Sequence, residues 1–497
     1  MPQSRSNKSV TKKAVPKKKP TNKVTKADQP AKKRFDRKYI GWTIASILSV
    51  TYITALFAAL NTNLVPYKVA LIIVPTTLLI VAGVVVLNIR YSWRSLLKSI
   101  ALVFVSLLVL FANGYVYTLS KSTSDFFANI QSGEYRLESY SIATKSSYGV
   151  TLKSATAIGY LAEDPNNTAV LDAVQDKTRS NPSSYPELAS LTVALDDRAV
   201  DTVVMKSGLL PLLEQNYPSF YQSLTVLDTF DVKVKNTAAK RIDISKPYAV
   251  FISGIDTYGD VASVSRSDVN IVVVINPQTH KVLLINTPRD YYVQLHGTTG
   301  VRDKLTHAGI YGIDMSRQTL EDLYQTPIDY SVRVNFTSLL KIIDTIGTIN
   351  VYSDYAFSSG QYKFSQGYNQ LDSKSALEFS RNRKSFENGD RTRGQNQQRV
   401  MEAIISKVND PRSLLKYQEI IKSLDGSFQT NANSEEVAAL LKQQMNTLGS
   451  WKTESISADG ADSRNATYSM GSLQLYVMEP NINSLNTARA KIQEYIK

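Results

Sequence analysis

The chain of 497 residues contains no cysteine. Disulfide frameworks, thiolate nucleophiles and Cys-ligated zinc are therefore excluded. Histidine is nearly as scarce: His280, His296 and His307 are the only three, which leaves little room for a His-based metal cage. Acidic residues are few where basic ones concentrate. The first 38 residues hold fourteen Lys/Arg against Asp28 and Asp36, a net of +12 out of the chain's +14. The remainder is close to neutral, so the basicity belongs to a tail and not to a basic fold. Residues 1–38 are also poor in large apolar side chains and cannot bury enough surface to offset the entropy of ordering, which predicts a disordered cytoplasmic tail. Lys17-Lys18-Lys19 and Lys32-Lys33-Arg34 would suit anionic lipid heads or nucleic acid. No recognition helix or aromatic platform accompanies them, so DNA binding by the tail is weakly supported.

Charge is what residues 39–118 lack. Three apolar segments, 40–60, 69–89 and 99–117, each come near the roughly 20 residues that span a bilayer as a helix. Trp42, Tyr67, Trp93, Tyr115 and Tyr117 sit near their ends, as interfacial aromatics do. The link between the second and third segments carries Arg90, Arg94 and Lys98, whereas the first link carries only Lys68. The positive-inside rule then puts the tail and the second link in the cytoplasm, and everything after residue 120 outside the cell membrane. ATP is not available there, so phosphate chemistry must bring its own activated phosphate.

Beyond the spans there is length for further domains. Residues 119–245 read as a mixed accessory domain, with strands expected at 148–151, 169–171, 199–204 and 224–234 and a helix at 207–215. Asp164-Pro-Asn-Asn-Thr168 and Asn181-Pro-Ser-Ser-Tyr185 read as loops, and no carboxylates gather with cations in this region. From Tyr248 onward strands and helices alternate. Strands are expected at 248–255, 269–276, 281–286, 331–336 and 349–352. Helices are expected at 305–324, at 337–346 with Thr337 as cap and Gly347 as stop, and at 393–408, 414–424 and 435–445. The predicted fold class is α/β: three N-terminal transmembrane helices, a small mixed α/β accessory domain, and an α/β/α sandwich catalytic domain with a mixed sheet. Its core would be 246–410, completed by helices and strands of 411–497.

The chemistry lies at the ends of these strands. Asp256 follows the first, Arg266 and Asp268 precede the second, and Pro288-Arg289-Asp290 follows the third. Arg381 and Arg383 are two apart, as are Arg266 and Asp268, and residues at that spacing share a side in extended chain. Arg393 and Gln397 are four apart at the start of a helix. Taken singly, each is more often a solvated face, a turn or a helix cap, and Asp390 would serve as such a cap. Their recurrence at strand ends and helix starts of one domain argues for a joint site. Guanidinium forks match phosphate oxygens, and gathered arginines repel unless a polyanion lies among them. A diphosphate would neutralise them, and Asp256 and Asp268 suit Mg²⁺, which takes a few carboxylates plus phosphate oxygens.

The runs Phe251-Ile-Ser-Gly-Ile-Asp256, Ser265-Arg-Ser-Asp268, Thr287-Pro-Arg-Asp290, Ser380-Arg-Asn-Arg383 and Gly389-Asp-Arg-Thr-Arg-Gly-Gln-Asn-Gln-Gln-Arg399 resemble the LytR-CpsA-Psr family. The order of tail, three spans, accessory domain and catalytic domain is similar to its capsule-associated CpsA-like branch. The resemblance implies a Mg²⁺-dependent phosphotransferase. It would move a capsular polysaccharide or related anionic glycopolymer from undecaprenyl diphosphate onto peptidoglycan, at the membrane lipid surface beside other capsule-synthesis membrane proteins. It implies that Asp256 and Asp268 hold the metal and that Arg266, Arg289, Arg381, Arg383, Arg393 and Gln397 hold the diphosphate. Arg381 and Arg383 would also stabilise charge on the leaving group. Asp390 matches a family Asp of the same pocket and is preferred over Asp256 as the base that takes the acceptor's proton. The polyprenyl chain needs an apolar channel, for which Val273, Ile285 and Leu339 are candidates. Two alternatives stay open: a pyrophosphatase or carrier using the same site without an acceptor, and a regulator of capsular polysaccharide synthesis or transcription acting through the tail.

Overall fold

The computed structural model describes residues 38–62, 67–90, 96–129, 135–235, 242–255, 265–386, 389–408, 428–446 and 451–497, with 419 and 423 in isolation. The basic tail, Asp256 and most of the expected helix 414–424 lie outside the described residues. Three helices open the chain: α1 (Lys38–Asn61), α2 (Tyr67–Arg90) and α3 (Leu96–Asn129). All three are long and apolar enough to cross a membrane. Polar side chains tie them together. Asn88 donates to Ser106 at 3.1 Å, Asn113 to Thr51 at 3.2 Å, and the Tyr52 hydroxyl lies 3.0 Å from Thr77. Such contacts replace the hydrophobic drive that helices lose in lipid. The third helix runs on past Tyr117 to Asn129, further than its apolar segment, and Phe126 there reaches the ring of Phe428 at 6.3 Å.

The accessory domain is a five-stranded sheet in the order β3-β2-β4-β1-β5. Its strands are β1 (Tyr135–Lys145), β2 (Ala157–Leu161), β3 (Asn181–Tyr185), β4 (Thr202–Lys206) and β5 (Leu224–Lys235). Its helices are α4 (Asn167–Lys177), α5 (Leu188–Asp196), α6 (Leu210–Asn216) and α7 (Pro218–Gln222). Several expectations fail here. The segment 169–171 is helical because Val170 and Val174, four apart, are buried under the sheet as one helix face. Asn181-Pro-Ser-Ser-Tyr185 is a strand, tolerated because β3 is the edge of the sheet, where Pro182 leaves no inner ladder bond unmade. Residues 148–151 form no strand. Carboxylates and a cation do gather: Lys206 pairs with Glu138 in the interior, with Asp164 at 3.9 Å.

The main sheet has six strands in the order β16-β11-β6-β7-β8-β17. Its centre is β6 (Tyr248–Ile255), β7 (Ser267–Asn276) and β8 (Lys281–Asn286), all antiparallel neighbours. These strands are nearly all apolar because both faces are covered. Alternation assigns each residue to a side. Phe251, Val272, Val274, Leu283 and Ile285 pack against α9 (Ile313–Tyr324) and α14 (Ile482–Ile496). Val250, Ile252, Ile271, Val273 and Leu284 face Met401 and Ile405 of α12 (Gly389–Val408). Between these come the short pairs β9 (Tyr292–Val293) with β10 (Asp303–Lys304), and α8 (Leu305–Ala308). The flank of β6 is β11 (Tyr330–Asn335), parallel to it. Then follow α10 (Phe336–Ile346), a ribbon of β12 (Ile349–Ser353) and β15 (Gly367–Leu371), the hairpin β13 (Phe357–Ser359) and β14 (Tyr362–Phe364), and α11 (Ser373–Arg381). The sheet is completed from the C-terminal part of the chain by β16 (Phe428–Thr430) and β17 (Lys452–Ser457). The helix α13 (Ser434–Asn446) and the hairpin β18 (Gly460–Thr467) and β19 (Gly471–Pro480) fill the rest.

Two helix expectations are corrected. The run 305–324 is not one helix: α8 and a 3-10 turn (Gly309–Tyr311) end at Gly312, whose φ of 111° breaks the ladder before α9 begins. The cap of α10 is Asn335 rather than Thr337, since the Asn335 side chain accepts from the Ser338 amide at 2.9 Å.

The two domains share a core. Ile310 and Met470, both fully buried, sit among Leu188, Leu191, Leu195 and Leu209 of the accessory domain. Truncating Ile310→Ala should cost about 2–5 kcal/mol, as for other buried Ile deletions. A denaturant titration of the detergent-solubilised chain would show it as a lowered midpoint for both domains together.

Candidate active site

Four strands present their ends on one edge of the sheet. Parallel pairing aligns Asn335 of β11 with Ile255 of β6, and antiparallel pairing sets Ile255 opposite Ser267 and Ile271 opposite Asn286. The carboxylates and arginines that follow or precede these strands are thereby collected. The register between β6 and β7 slips at this edge: Gly254 pairs with Val269 but Ile255 pairs with Ser267, leaving Asp268 as the extra residue of a bulge. A bulge re-aims its side chain, and such bulges are over-represented beside active sites. Gly254 permits the close approach, since a Cβ there would fall 2.6 Å from the Val269 side chain. The bulge interrupts the strict alternation on which the expectation of Arg266 and Asp268 on one side rests.

Asp268 becomes the centre of a charged cluster. It is 8% exposed, accepts from Arg289 Nη1 at 2.8 Å and from the Thr306 hydroxyl at 3.1 Å. Burial pushes its carboxyl up, but the guanidiniums of Arg289, Arg393 and Arg266 outweigh this and hold it below the usual carboxylate range. Arg289 is steadied on its other side by Asp290, at 3.4 Å, and Asp290 in turn accepts from Lys304 at 2.9 Å. Arg393 is buried in the second turn of α12.

Two cavities meet at this cluster. The first, of about 760 Å³, is walled by Ile255, Val269, Val334, Leu339, Val400 and Met401. Its polar corner holds Asp268, Arg381, Arg383, Arg393 and Gln397. The second, of about 620 Å³, is polar: Asn286, Arg289, Asp290, Gln395, Ser457 and Asp459 line it, again with Asp268, Arg393 and Gln397. The three shared side chains form the partition. One turn further along α12 a third, apolar space of about 910 Å³ opens between Ile404, Ile405 and the strand residues Val250, Ile252 and Val273.

The sequence-expected residues are thus distributed unevenly. Asp268, Arg289, Arg381, Arg383, Arg393 and Gln397 are brought to the two cavities. Arg381 and Arg383 reach the first cavity from the C-terminal end of α11, Arg381 being its last residue, and not from an extended strand. Arg266 lines neither cavity but stays within electrostatic reach of Asp268, and its Nη1 donates to Oε1 of Gln215, in α6 of the accessory domain, at 2.6 Å. Asp390 lies in the first turn of α12 and so is not its cap residue; its side chain, like the whole of Asp256, lies outside the described residues. Val273 and Leu339 line apolar cavities, but Ile285 does not: its parity on β8 turns it to the opposite face, against α9 and α14. Thr306, Lys304, Asn286, Ser457, Asp459 and Gln215 carry no local signal, since each comes to the site only by tertiary packing.

The donor set for Mg²⁺ is narrow. Among the described residues no three His, Cys, Asp or Glu side chains group to hold a metal. Of the two expected ligands only Asp268 is among the described residues, and a single carboxylate would suit the mode where phosphate oxygens and water supply most of the shell.

Guanidiniums gathered about one buried carboxylate, between an apolar and a polar chamber at the end of a mixed sheet, define an α/β domain with an anion-binding type of site. A model of the LytR_cpsA_psr family matches residues 221–490. The chain is 33% identical over 205 residues to the polyisoprenyl-teichoic acid–peptidoglycan teichoic acid transferase TagU of Bacillus licheniformis, across 41% of this chain and 66% of that protein. To the TagU of Enterococcus faecalis it is 32% identical over 218 residues, across 43% of this chain and 71% of that one. The crystal structure of B. subtilis TagV is 28% identical and covers 51% of this chain and 98% of that chain, with a TM-score of 0.43. The chain belongs to the LytR_cpsA_psr family.

Removing the central carboxylate has a defined consequence. Asp268→Asn removes the buried carboxylate that Arg289 donates to and whose charge Arg393 also faces, a loss of about 3–5 kcal/mol at neutral pH for a broken buried pair. Because the folded carboxyl titrates below its unfolded value, wild-type stability from this group is full above the unfolded pKa and lost as pH falls through the folded one. The stability gap between wild type and variant, measured by denaturant titration in metal-free buffer, should therefore close only in strong acid.

Proposed function

We propose that this chain is a membrane-anchored phosphotransferase that moves an anionic glycopolymer from a polyisoprenyl diphosphate onto peptidoglycan. The observation that carries this reading is the partition of Asp268, Arg393 and Gln397, with Arg381 and Arg383 on its apolar side and Arg289 on its polar side. A polyisoprenyl diphosphate has the matching polarity. Its hydrocarbon would run past Leu339, Val400 and Met401 toward Val273 and Ile405, and its phosphates would rest on the guanidinium forks. The named function of the relatives, teichoic acid transfer to peptidoglycan, agrees with that donor. A capsular polysaccharide is the finer reading of the polymer, favoured by the tail, spans and accessory domain that precede the family-matched segment. With the basic tail and the link after α2 in the cytoplasm, the site lies outside the cell.

In the reaction an acceptor sugar hydroxyl attacks the phosphorus that bears the polymer. A new P–O bond forms, the bridging P–O bond breaks, and polyisoprenyl phosphate leaves. In-line displacement requires the nucleophile to arrive opposite the leaving group. If the lipid phosphate departs into the apolar chamber, the acceptor enters through the polar one, past Asn286, Gln395, Ser457 and Asp459. Asp390 is the proposed base for the hydroxyl proton. Arg381, Arg383 and Arg393 stabilise charge growing on the leaving oxygen in a water-poor setting. Asp268 and Asp256 would hold Mg²⁺, which when bound offsets phosphate charge.

Incubating the full chain in vesicles with lipid-linked polymer and a peptidoglycan oligomer should yield linked product and polyisoprenyl phosphate. Release of free polymer with no linked product would sink the transferase reading in favour of a pyrophosphatase. Arg383→Ala and Arg393→Ala should each lower the transfer rate by about 10²–10³-fold, the scale of a lost transition-state donor. Chelation with EDTA should suppress transfer and added Mg²⁺ restore it.

A further inference from the structure

The accessory domain reaches Arg266, two residues before Asp268, from two directions. Its helix α6 supplies Gln215, whose Oε1 accepts from Arg266 Nη1 at 2.6 Å. Its core grips Ile310, and the residue before Ile310 is Gly309. A Cβ on Gly309 would fall 2.5 Å from the Ser267 amide nitrogen and 2.6 Å from the Ser265 carbonyl oxygen. The backbone on both sides of Arg266 is therefore pressed against the segment that the accessory core anchors, while the side chain is held from the same domain. Arg266 directly precedes Ser267 and the bulged Asp268 at the end of β7, and its charge acts on that carboxylate.

We infer that the accessory domain is part of the catalytic apparatus: Gln215 positions Arg266, fixing its guanidinium beside the diphosphate site without neutralising its charge. This rests on the transferase reading above. The choice of an amide follows from the electrostatics. An arginine left loose must lose several side-chain rotors when it meets a phosphate, at a cost in affinity. A carboxylate partner would remove that freedom but pair the charge the diphosphate needs. The neutral carbonyl oxygen of Gln215 does the first without the second. Residue 215 also precedes the family-matched stretch of 221–490, so this partner comes from the part of the chain outside that match. Gln215 is a positioning residue and need not touch substrate.

The test uses the full chain in detergent, with geranylgeranyl diphosphate as the probe of the donor site. Gln215→Leu should weaken probe binding roughly tenfold, the scale of a hydrogen bond to a charged group, with the thermal midpoint unchanged. Gln215→Glu should also weaken it, but with a shallower dependence on salt, because Arg266 is then held yet neutralised. In an Arg266→Ala background Gln215→Leu should have no further effect, as coupled positions require. Unchanged binding in Gln215→Leu, or a loss that persists undiminished in Arg266→Ala, would overturn the inference while leaving the transferase reading intact. Failure of the wild-type chain to bind the probe at all would overturn both.

Discussion

The site depends on one carboxylate among cations. Asp268 is buried, and burial works against its charge, yet Arg289, Arg393 and Arg266 keep it ionised. The dependence runs both ways, because buried guanidiniums without a counter-charge are costly to keep out of water. The cluster therefore carries surplus positive charge in a stable form. That surplus is what a diphosphate would complete. The flanking ties, Thr306 to Asp268 and Lys304 to Asp290, hold the cluster at fixed geometry without cancelling it.

Its position follows from the sheet. Strands β6, β7 and β8, covered on both faces, carry most of their polar residues at or near their ends, and the pairing of β11, β6, β7 and β8 brings those ends to one edge. The bulge at Asp268 then turns a carboxylate into the junction of two cavities. Helix α12 closes the arrangement. Its second and third turns deliver Arg393 and Gln397, and its later turns present Met401 and Ile405 to the apolar face of the sheet. One helix thus lines both the charged partition and the greasy space leading from it, a combination suited to an amphiphilic phosphate.

The accessory domain is bound to this centre by a shared core around Ile310 and Met470. Its contribution is therefore mechanical as well as polar. A shift of its core would move the Gly309 segment and with it the backbone around Arg266. This gives a physical reason for a second domain to sit beside the matched family domain.

Much of the fold was legible in the residues alone. The apolar runs bounded by Asp, Asn and Pro marked β6, β7 and β8 within two residues, and the three uncharged stretches marked the spans, because periodicity and length are local properties. The gathering of Arg381, Arg383, Arg393 and Gln397 near Asp268 was suggested by arginines recurring at element ends. The failures share a cause. The helical state of 169–171, the edge strand at Asn181, the break at Gly312 and the outward parity of Ile285 all depend on what the segment packs against. The sequence by itself determined the spans, the strand cores and the residue types available for phosphate. Tertiary structure alone decided that a bulge would separate Arg266 from Asp268, and that a glutamine some fifty residues upstream would meet that arginine. Register and interdomain contact are relations between distant segments, and no local pattern encodes them.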